Sequence, residues 1–119
     1  MDRIVLTMPT TARLQGVATL VLGGIGSRLE LPYERMDDLQ LAVLSVLAAT
    51  AGESVTIEVD AGDAQIAVAV GPLADGSAAD RGLQRVLERL VDGVEPVSRD
   101  GREWVELRVE RAPMVAAKP

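Results

Sequence analysis

The sequence contains no cysteine and no histidine. Disulfides, thiolate chemistry, zinc sites built from these residues and acid–base catalysis by an imidazole are therefore excluded. Any chemistry must rely on carboxylates, hydroxyls, guanidinium groups or backbone amides. One turn with Asp60 and Asp63 looks like a calcium loop, but it lacks the ligand count and the closing glutamate of such a site. We therefore predict no metal.

Aromatic residues are scarce: among 119 residues there are one Trp, one Tyr and no Phe. Hydrophobic residues nevertheless make up 48% of the chain, which is enough for one core of aliphatic side chains. The length suits a single domain. We assign residues 1–111 to this domain and expect residues 112–119, "APMVAAKP", to form a flexible tail.

Positive charge is limited, since the net charge is −6 and the sequence pI is about 4.6. No basic stripe is present, so direct binding of nucleic acid is not expected. No apolar run reaches the roughly 18 residues of a membrane span. The first residues, "MDRIVLTMP", do not have the pattern of a signal peptide. We therefore predict a cytoplasmic protein without membrane contact.

Hydrophobic periodicity divides the chain into strands and helices. It predicts a strand over residues 3–9, a hairpin over 54–70 and a last hairpin around Asp100-Gly101. Three helices are predicted. The first is capped by Thr10 or Thr11 and has an apolar stripe at Leu14, Val17, Val21, Ile25 and Leu29. The second runs from residue 32 to about 52, and the third covers residues 79–92, with Leu83, Val86, Leu87 and Leu90 inward. Residues 71–80 predict a loop. This order predicts an α+β fold, a two-layer sandwich of a mixed, largely antiparallel sheet with helices on one face.

The second predicted helix is the most apolar part of the chain. In "LQLAVLSVLAATAG", residues 39–52, the polar side chains before the glycine are Gln40, Ser45 and Thr50. These three share no helix face, so the helix is apolar almost all round. A helix of this kind is buried on most sides. We therefore expect it to be the central helix of the domain.

Three short stretches and one glycine match a known family. They are "DLQLAV", residues 38–43; Gly82-Leu83; "LVDGVE", residues 90–95; and Gly101. In position and order they resemble motifs of the histidine-kinase-like ATPase fold, and the chain is most similar to the small bacterial anti-sigma-factor serine kinases. The resemblance covers nearly the whole chain. It implies that fold, and it implies a protein partner, either a sigma factor or an anti-sigma-factor antagonist.

Three positions depart from the nucleotide site of that family. The family's second helix carries a glutamate that acts as general base and, four residues on, an asparagine that holds magnesium; the resemblance places Ser45 and Ala49 there. A serine hydroxyl is too weak a base, and a methyl group cannot bind magnesium. The family's adenine-binding aspartate is replaced by Gly71. We therefore expect neither ATP nor magnesium as a cofactor, and we expect Ser45 to bond the carbonyl of Leu41.

Two functions stay open at this point, beside a third reading, a structural dimer with no switching role. The departures favour a non-catalytic regulatory protein-binding module, a pseudokinase acting by protein contact in a bacterial partner-switching or transcription-control system. The alternative is an active ATP-dependent serine protein kinase of the anti-sigma-factor type that binds ATP and magnesium through unusual contacts. Candidate partner-binding residues are Asp75, Ser77, Asp80, Arg81 and Trp104, and the amides near residues 79–81 are a candidate anion site. By analogy with the family, we also expect a homodimer through the first strand and first helix.

Overall fold

The structure, a computed structural model, describes residues 2–11 and 13–111. In chain order its elements are β1 Asp2–Pro9, α1 Leu14–Arg28, α2 Tyr33–Leu47, β2 Ser54–Ala61, β3 Gln65–Leu73, a 3-10 helix at Ser77–Ala79, α3 Arg81–Leu90, β4 Gly93–Arg99 and β5 Arg102–Glu110. This is the predicted order of strands and helices. The predicted tail, residues 112–119, lies outside the described residues. Within the described ranges, none of the helices has the length and hydropathy that a membrane crossing requires.

The five strands form one sheet in the order β1-β2-β3-β5-β4, and every neighbouring pair is antiparallel. The predicted α+β class is confirmed, but the parallel pairing of a mixed sheet does not occur among the described strands. The pairs β2–β3 and β4–β5 are hairpins, which are necessarily antiparallel. The pairs β1–β2 and β3–β5, whose strands are separated by helices in the chain, are antiparallel as well. At the second turn, Asp100 and Gly101 have φ values of 51° and 76°, the left-handed conformation that an Asp-Gly pair favours.

The sheet has one aliphatic face and one polar face because side chains alternate along each strand. The aliphatic face consists of Val55, Ile57, Val59, Ile66, Val68, Val70, Val105, Leu107 and Val109, each at most 3% exposed. Side chains from all three helices join this face in one core. The arrangement is compatible with a two-layer sandwich, with Thr56, Glu58, Glu106 and Arg108 on the opposite, outer face.

Helix α2 packs one side into the core rather than being buried on most sides, and it is shorter than predicted. It begins after Pro32 and ends at Leu47, rather than near residue 52. Beyond Leu47 the chain leaves the helix so that Thr50 can form a bridge with Leu73 of β3. Leu41 is 54% exposed, so one side of the helix faces solvent. The buried side consists of Met36, Leu39, Ala42, Val43, Val46 and Leu47.

The inward faces of α1 and α3 differ in part from those predicted. In α1, Ala18 and Leu22 are buried, whereas Val17 is 42% exposed. In α3, Val86 is 45% exposed, although the spacing had placed it inward. Of the other stripe positions, Val21, Ile25 and Leu29 are half-buried, and the side chain of Leu14 is not among those described. Because α1 is apolar on several sides, periodicity alone did not select its buried face.

Close packing of α1 on α2 explains one glycine of the first helix. A Cβ on Gly26 would overlap the Met36 sulfur atom, so glycine permits the two helices to approach. Neither threonine is the N-cap of α1, contrary to the prediction: the N-cap is Arg13, which has no side-chain capping bond, and Thr11 Oγ1 accepts a hydrogen bond from the Arg13 amide at 3.4 Å. Thr10 instead donates its hydroxyl proton to the carbonyl oxygen of Gly52 at 2.8 Å.

Strand β3 is longer than predicted, which shortens the predicted loop. Residues 71–73 continue the strand. The reason is that Leu73 is apolar and only 1% exposed, and it pairs with Thr50 on one side and Glu103 on the other. The connection from β3 to α3 therefore consists of residues 74–80, which include the 3-10 helix.

Candidate functional site

A groove of about 410 Å³ separates the C-terminal half of α2 from the connection between β3 and α3. We call it the α2–α3 groove. It is lined by Ser45, Ala48, Ala49, Asp75, Gly76, Ser77, Asp80 and Leu83. Five residues singled out in the sequence therefore meet here. Ser45 and Ala49, the two α2 positions singled out by the resemblance, face the same space as the acidic connection.

Ser45 and Ala49 form the α2 side of the groove. Ser45 Oγ donates a hydrogen bond to the Leu41 carbonyl oxygen at 2.8 Å, which confirms the predicted contact. Ala49 contributes a methyl group, and its carbonyl oxygen accepts a hydrogen bond from the Ala74 amide at 2.9 Å. Within residues 2–11 and 13–111, no three acidic side chains lie close enough to hold a metal ion together. This side of the groove offers neither a base nor a magnesium ligand.

On the opposite side of the groove, a carboxylate from β5 binds the connection. Glu103 Oε2 accepts a hydrogen bond from the Gly76 amide at 2.7 Å, and Oε1 accepts one from the Ala78 amide at 3.0 Å. Gly76 has a left-handed φ of 86°, a conformation in which neighbouring amides turn toward one point and form an anion-binding concavity. The connection therefore contains such a concavity, and the protein's own carboxylate fills it.

Glu103 was not identified as a site residue from the sequence. It lies 25 positions from Ala78, and its local pattern is that of any polar residue on an alternating strand. A register shift in the pairing of β3 with β5 brings Glu103 opposite Leu73, at the end of β3. Only the tertiary fold places this carboxylate beside the connection, so no local sequence signal would have found it.

The environment of Glu103 favours its ionised form. The Gly76 amide and, to a lesser degree, the Ala78 amide lower the pKa of Glu103 from its usual value of 4.5, and desolvation opposes them only weakly. At neutral pH the side chain is therefore charged. It adds a negative charge beside a groove whose lining already includes Asp75 and Asp80.

The start of α3 was predicted to offer the amides of residues 79–81 to an anion, but two of these amides are already bonded. The amides of Ala79 and Asp80 donate to the carbonyl oxygens of Gly76 and Ser77, at 3.3 and 3.1 Å. Asp80 is also the N-cap of α3, and its Oδ2 accepts a hydrogen bond from the Leu83 amide at 2.8 Å. The helix start therefore already carries its own anion. A free anion would have to compete with it.

Two predicted residues, Gly71 and Trp104, lie on the outer face of the sheet rather than in the groove. A Cβ on Gly71 would come within 2.5 Å of Trp104 Cγ and Cδ2, so the indole lies directly over the glycine. The Arg99 guanidinium stands 4.5 Å from the ring centroid of Trp104, within cation–π range. Arg99 Nη1 also bonds Glu58 Oε2 at 2.7 Å, and Arg3 Nη2 bonds the other Glu58 oxygen at 3.0 Å.

The position of Gly71 affects the comparison with the ATPase family. Its side-chain direction points to the outer face, toward Trp104. Ser45 and Ala49 line a groove beside the helices. An aspartate at position 71 would therefore not reach that groove. Arg81, the remaining predicted contact residue, is exposed at the first position of α3 and does not line the groove.

Neither a protein-family model nor a curated protein matches this chain. The resemblance to the histidine-kinase-like ATPase fold therefore stays a prediction. An α+β fold with an antiparallel sheet supports many functions, so the function must be argued from the site.

Replacing Glu103 by glutamine is expected to weaken its hydrogen bonds to the amides of Gly76 and Ala78 and to change the dependence of stability on pH. Because the folded state lowers the pKa of Glu103, its contribution is fully present above the usual value of 4.5 and is lost as the pH falls through the lower folded value. The Glu103→Gln variant should therefore have a lower melting temperature at pH 7 and a shallower loss of stability in acid. Thermal unfolding between pH 7 and pH 2 measures both effects.

Glu110→Gln is a matched control, because Glu110 is an exposed glutamate at the other end of β5. Its acid profile should follow that of the wild type. Parallel acid profiles for wild type and Glu103→Gln would contradict the bonding of Glu103 to the connection.

Proposed function

We propose that this protein is a non-catalytic regulatory protein-binding module, resembling an anti-sigma factor that has lost its nucleotide site. The observation that carries the proposal is the carboxylate of Glu103 on the amides of Gly76 and Ala78. Phosphoryl transfer depends on amides, cations and a metal ion that hold the phosphates. Here the amides beside the groove hold an internal anion, so a phosphate would have to displace it.

The charge of the α2–α3 groove also opposes a polyphosphate. Among its lining residues, Asp75 and Asp80 are acidic and none is basic. The whole chain has a net charge of −6. Without a magnesium ligand at Ser45 or Ala49, the repulsion between these carboxylates and a triphosphate is not offset.

The same groove suits a segment of a partner protein. Ala48, Ala49 and Leu83 supply apolar surface, while Asp75 and Asp80 are exposed carboxylates. A partner segment that presents arginine or lysine beside small apolar side chains is complementary to this surface. From the resemblance, we propose a sigma factor or an anti-sigma-factor antagonist as the partner, in a bacterial partner-switching or transcription-control system of the cytoplasm.

Self-association through β1 and α1 is the second part of the proposal. Strand β1 is at the edge of the sheet, and an unpaired edge is a template for another strand. Val5 of β1 is 55% exposed, and Leu20 and Val17 of α1 are 79% and 42% exposed. Two copies that pair through β1 would extend the sheet and bury these side chains.

We expect sedimentation velocity over a micromolar concentration series to show a reversible dimer of the wild-type protein. Leu20→Glu places a charge on the proposed contact and should shift the equilibrium to monomer. Val86→Glu, at a 45% exposed position on α3, should leave the dimer intact. A strict monomer at high micromolar concentration, or equal effects of the two variants, would remove the β1–α1 contact from the proposal.

The non-catalytic part of the proposal predicts that magnesium and ATP together do not bind with useful affinity. Isothermal titration should give no dissociation constant in or below the low micromolar range, and a phosphate-release assay should give no turnover. Ser45→Glu combined with Ala49→Asn restores the two family side chains on α2. This double variant should also show neither ATP binding nor turnover, because Glu103 still accepts the hydrogen bond of the Gly76 amide.

Low-micromolar binding of ATP by the wild-type protein, or turnover abolished by a substitution within residues 71–82, would favour the kinase alternative.

The proposal that a partner protein binds in the α2–α3 groove is tested with a photo-crosslinking residue at position 77, inside the groove, in cells of the source organism. Ser27, an exposed serine of α1, is the control position. A sigma factor or an antagonist should be captured from position 77 and not from position 27; equal capture at both positions would contradict the groove as the contact.

A further inference from the structure

A second cavity lies between α1 and the strands β1 and β2, apart from the α2–α3 groove. We call it the α1–β1 cleft. Its volume is about 300 Å³, at the lower end of the roughly 300–1,000 Å³ of small-molecule sites. Its lining combines the apolar side chains Ile4, Ile25, Leu29 and Val59 with the two arginines Arg3 and Arg28. The Arg3 guanidinium is paired with Glu58 on the outer face of the sheet, so Arg28 is the cation that this apolar cleft offers to a ligand.

The inner end of the cleft is entirely apolar. Ile4, Ile25 and Val59 also line a neighbouring pocket of about 10 Å³, whose other walls are aliphatic side chains from α1, β1 and β2. A space of this size holds roughly one water-sized group. With no polar side chain to bond a water there, the inner end suits the terminal methyl group of a hydrocarbon chain.

The two arginines of the cleft differ in their partners. Arg3 Nη2 lies 3.0 Å from Glu58 Oε1, and Arg3 Nε lies 3.9 Å from Asp60 Oδ1. Arg28, in the last turn of α1, forms no ion pair within the described part of the chain. Its guanidinium therefore remains available to an anion at the entrance of an apolar cleft.

We propose that the α1–β1 cleft binds a single-chain amphiphile with a carboxylate head, of the medium-chain fatty-acid class. Arg28 receives the carboxylate through charge-assisted hydrogen bonds, and the hydrocarbon chain lies against Ile4 and Ile25. A head with one negative charge matches the site better than one with two, such as a phosphate, because Arg28 is the one arginine of the lining that the described carboxylates do not already neutralise. The volume suits one hydrocarbon chain and is too small for a two-chain lipid.

The test is isothermal titration of the full chain with decanoate below its micellar concentration, in comparison with butyrate and decanol. Decanoate should bind at one site per chain. Each methylene removed from the cleft should weaken binding by about fourfold, so butyrate should show no measurable binding. Decanol has the same chain without the charge and should bind about tenfold more weakly than decanoate.

Variants separate the charged and apolar parts of the site. Arg28→Gln should weaken decanoate binding by about tenfold, and Arg28→Lys should retain most of it. Arg89→Gln removes an arginine from the last turn of α3, the equivalent helix position outside the cleft, and should leave binding unchanged. Ala61→Leu adds bulk to the lining of the cleft and should abolish binding in a protein with wild-type circular dichroism.

Three results would each overturn the proposal: no binding of decanoate, equal affinity for decanol and decanoate, or equal loss in Arg28→Gln and Arg89→Gln. A protein partner whose binding depends on Arg28, in the absence of decanoate binding, would assign the cleft to protein contact instead. None of these readouts depends on ATP or on the α2–α3 groove. The cleft and the α2–α3 groove therefore succeed or fail separately. The β1–α1 dimer uses neighbouring surface, but its own variant, Leu20→Glu, leaves the lining of the cleft unchanged.

Discussion

Replacing Leu47 by alanine is expected to lower the free energy of unfolding by about 2–4 kcal/mol. Leu47 is 5% exposed, and it is the last residue of α2, packed in the common core of helices and sheet. The truncation removes buried methyl groups and leaves a cavity. Its neighbours are fixed on one side by the helix and on another by the bridge between Thr50 and Leu73, so the site has little freedom to collapse.

Leu41→Ala is the matched control on the same helix. Leu41 is 54% exposed, so the same truncation there should cost less than about 1 kcal/mol. The backbone carbonyl of Leu41 still accepts the hydrogen bond from Ser45, so that contact is retained. Urea denaturation of both variants measures the difference. Equal losses, or a loss below 1 kcal/mol at Leu47, would mean that α2 does not turn this face to the core.

The parts of the fold that the sequence predicted correctly are those determined by local pattern. Residues 66, 68 and 70 of β3 and residues 105, 107 and 109 of β5 alternate with polar or small residues, and all six are buried. A period of two and a short turn are enough to define a hairpin with one buried face. The Asp100-Gly101 turn could be predicted from these two residues alone. These features depend on neighbours in the chain, so a single sequence reveals them.

The parts that the sequence did not predict depend on contacts between distant residues. The end of α2 at Leu47 follows from the pairing of Thr50 with Leu73, and the burial of Ala18 rather than Val17 follows from the approach of Gly26 to Met36. An apolar helix offers several faces, and its pattern does not choose among them. In the same way, five of the groove residues were identified from the sequence, but Glu103, whose carboxylate binds the amides of the connection, comes from a strand later in the chain.

The packing of Trp104 on Gly71, on the outer face of the sheet, leaves no room for a Cβ atom at position 71. Gly71→Ala is expected to lower the free energy of unfolding by about 1–3 kcal/mol. A Cβ there would lie 2.5 Å from two indole atoms, so the ring must move, and with it the Arg99 guanidinium that stands 4.5 Å away. Backbone strain does not contribute, since Gly71 is not among the residues with positive φ.

A double-mutant cycle identifies the cause of that loss. If the indole is the obstacle, Gly71→Ala should cost almost nothing in a Trp104→Ala background, and the two substitutions should couple by about 1–3 kcal/mol. Gly24→Ala is the contrasting control: a Cβ there meets nothing within 4 Å, and alanine should stabilise the helix by up to about 1 kcal/mol. In Gly71→Ala, the fluorescence of Trp104, the chain's one tryptophan, should shift to longer wavelength as the ring leaves the sheet. Unchanged fluorescence together with additive costs would mean that Trp104 does not cover Gly71 in solution, and position 71 would then have room for the side chain that the ATPase family carries.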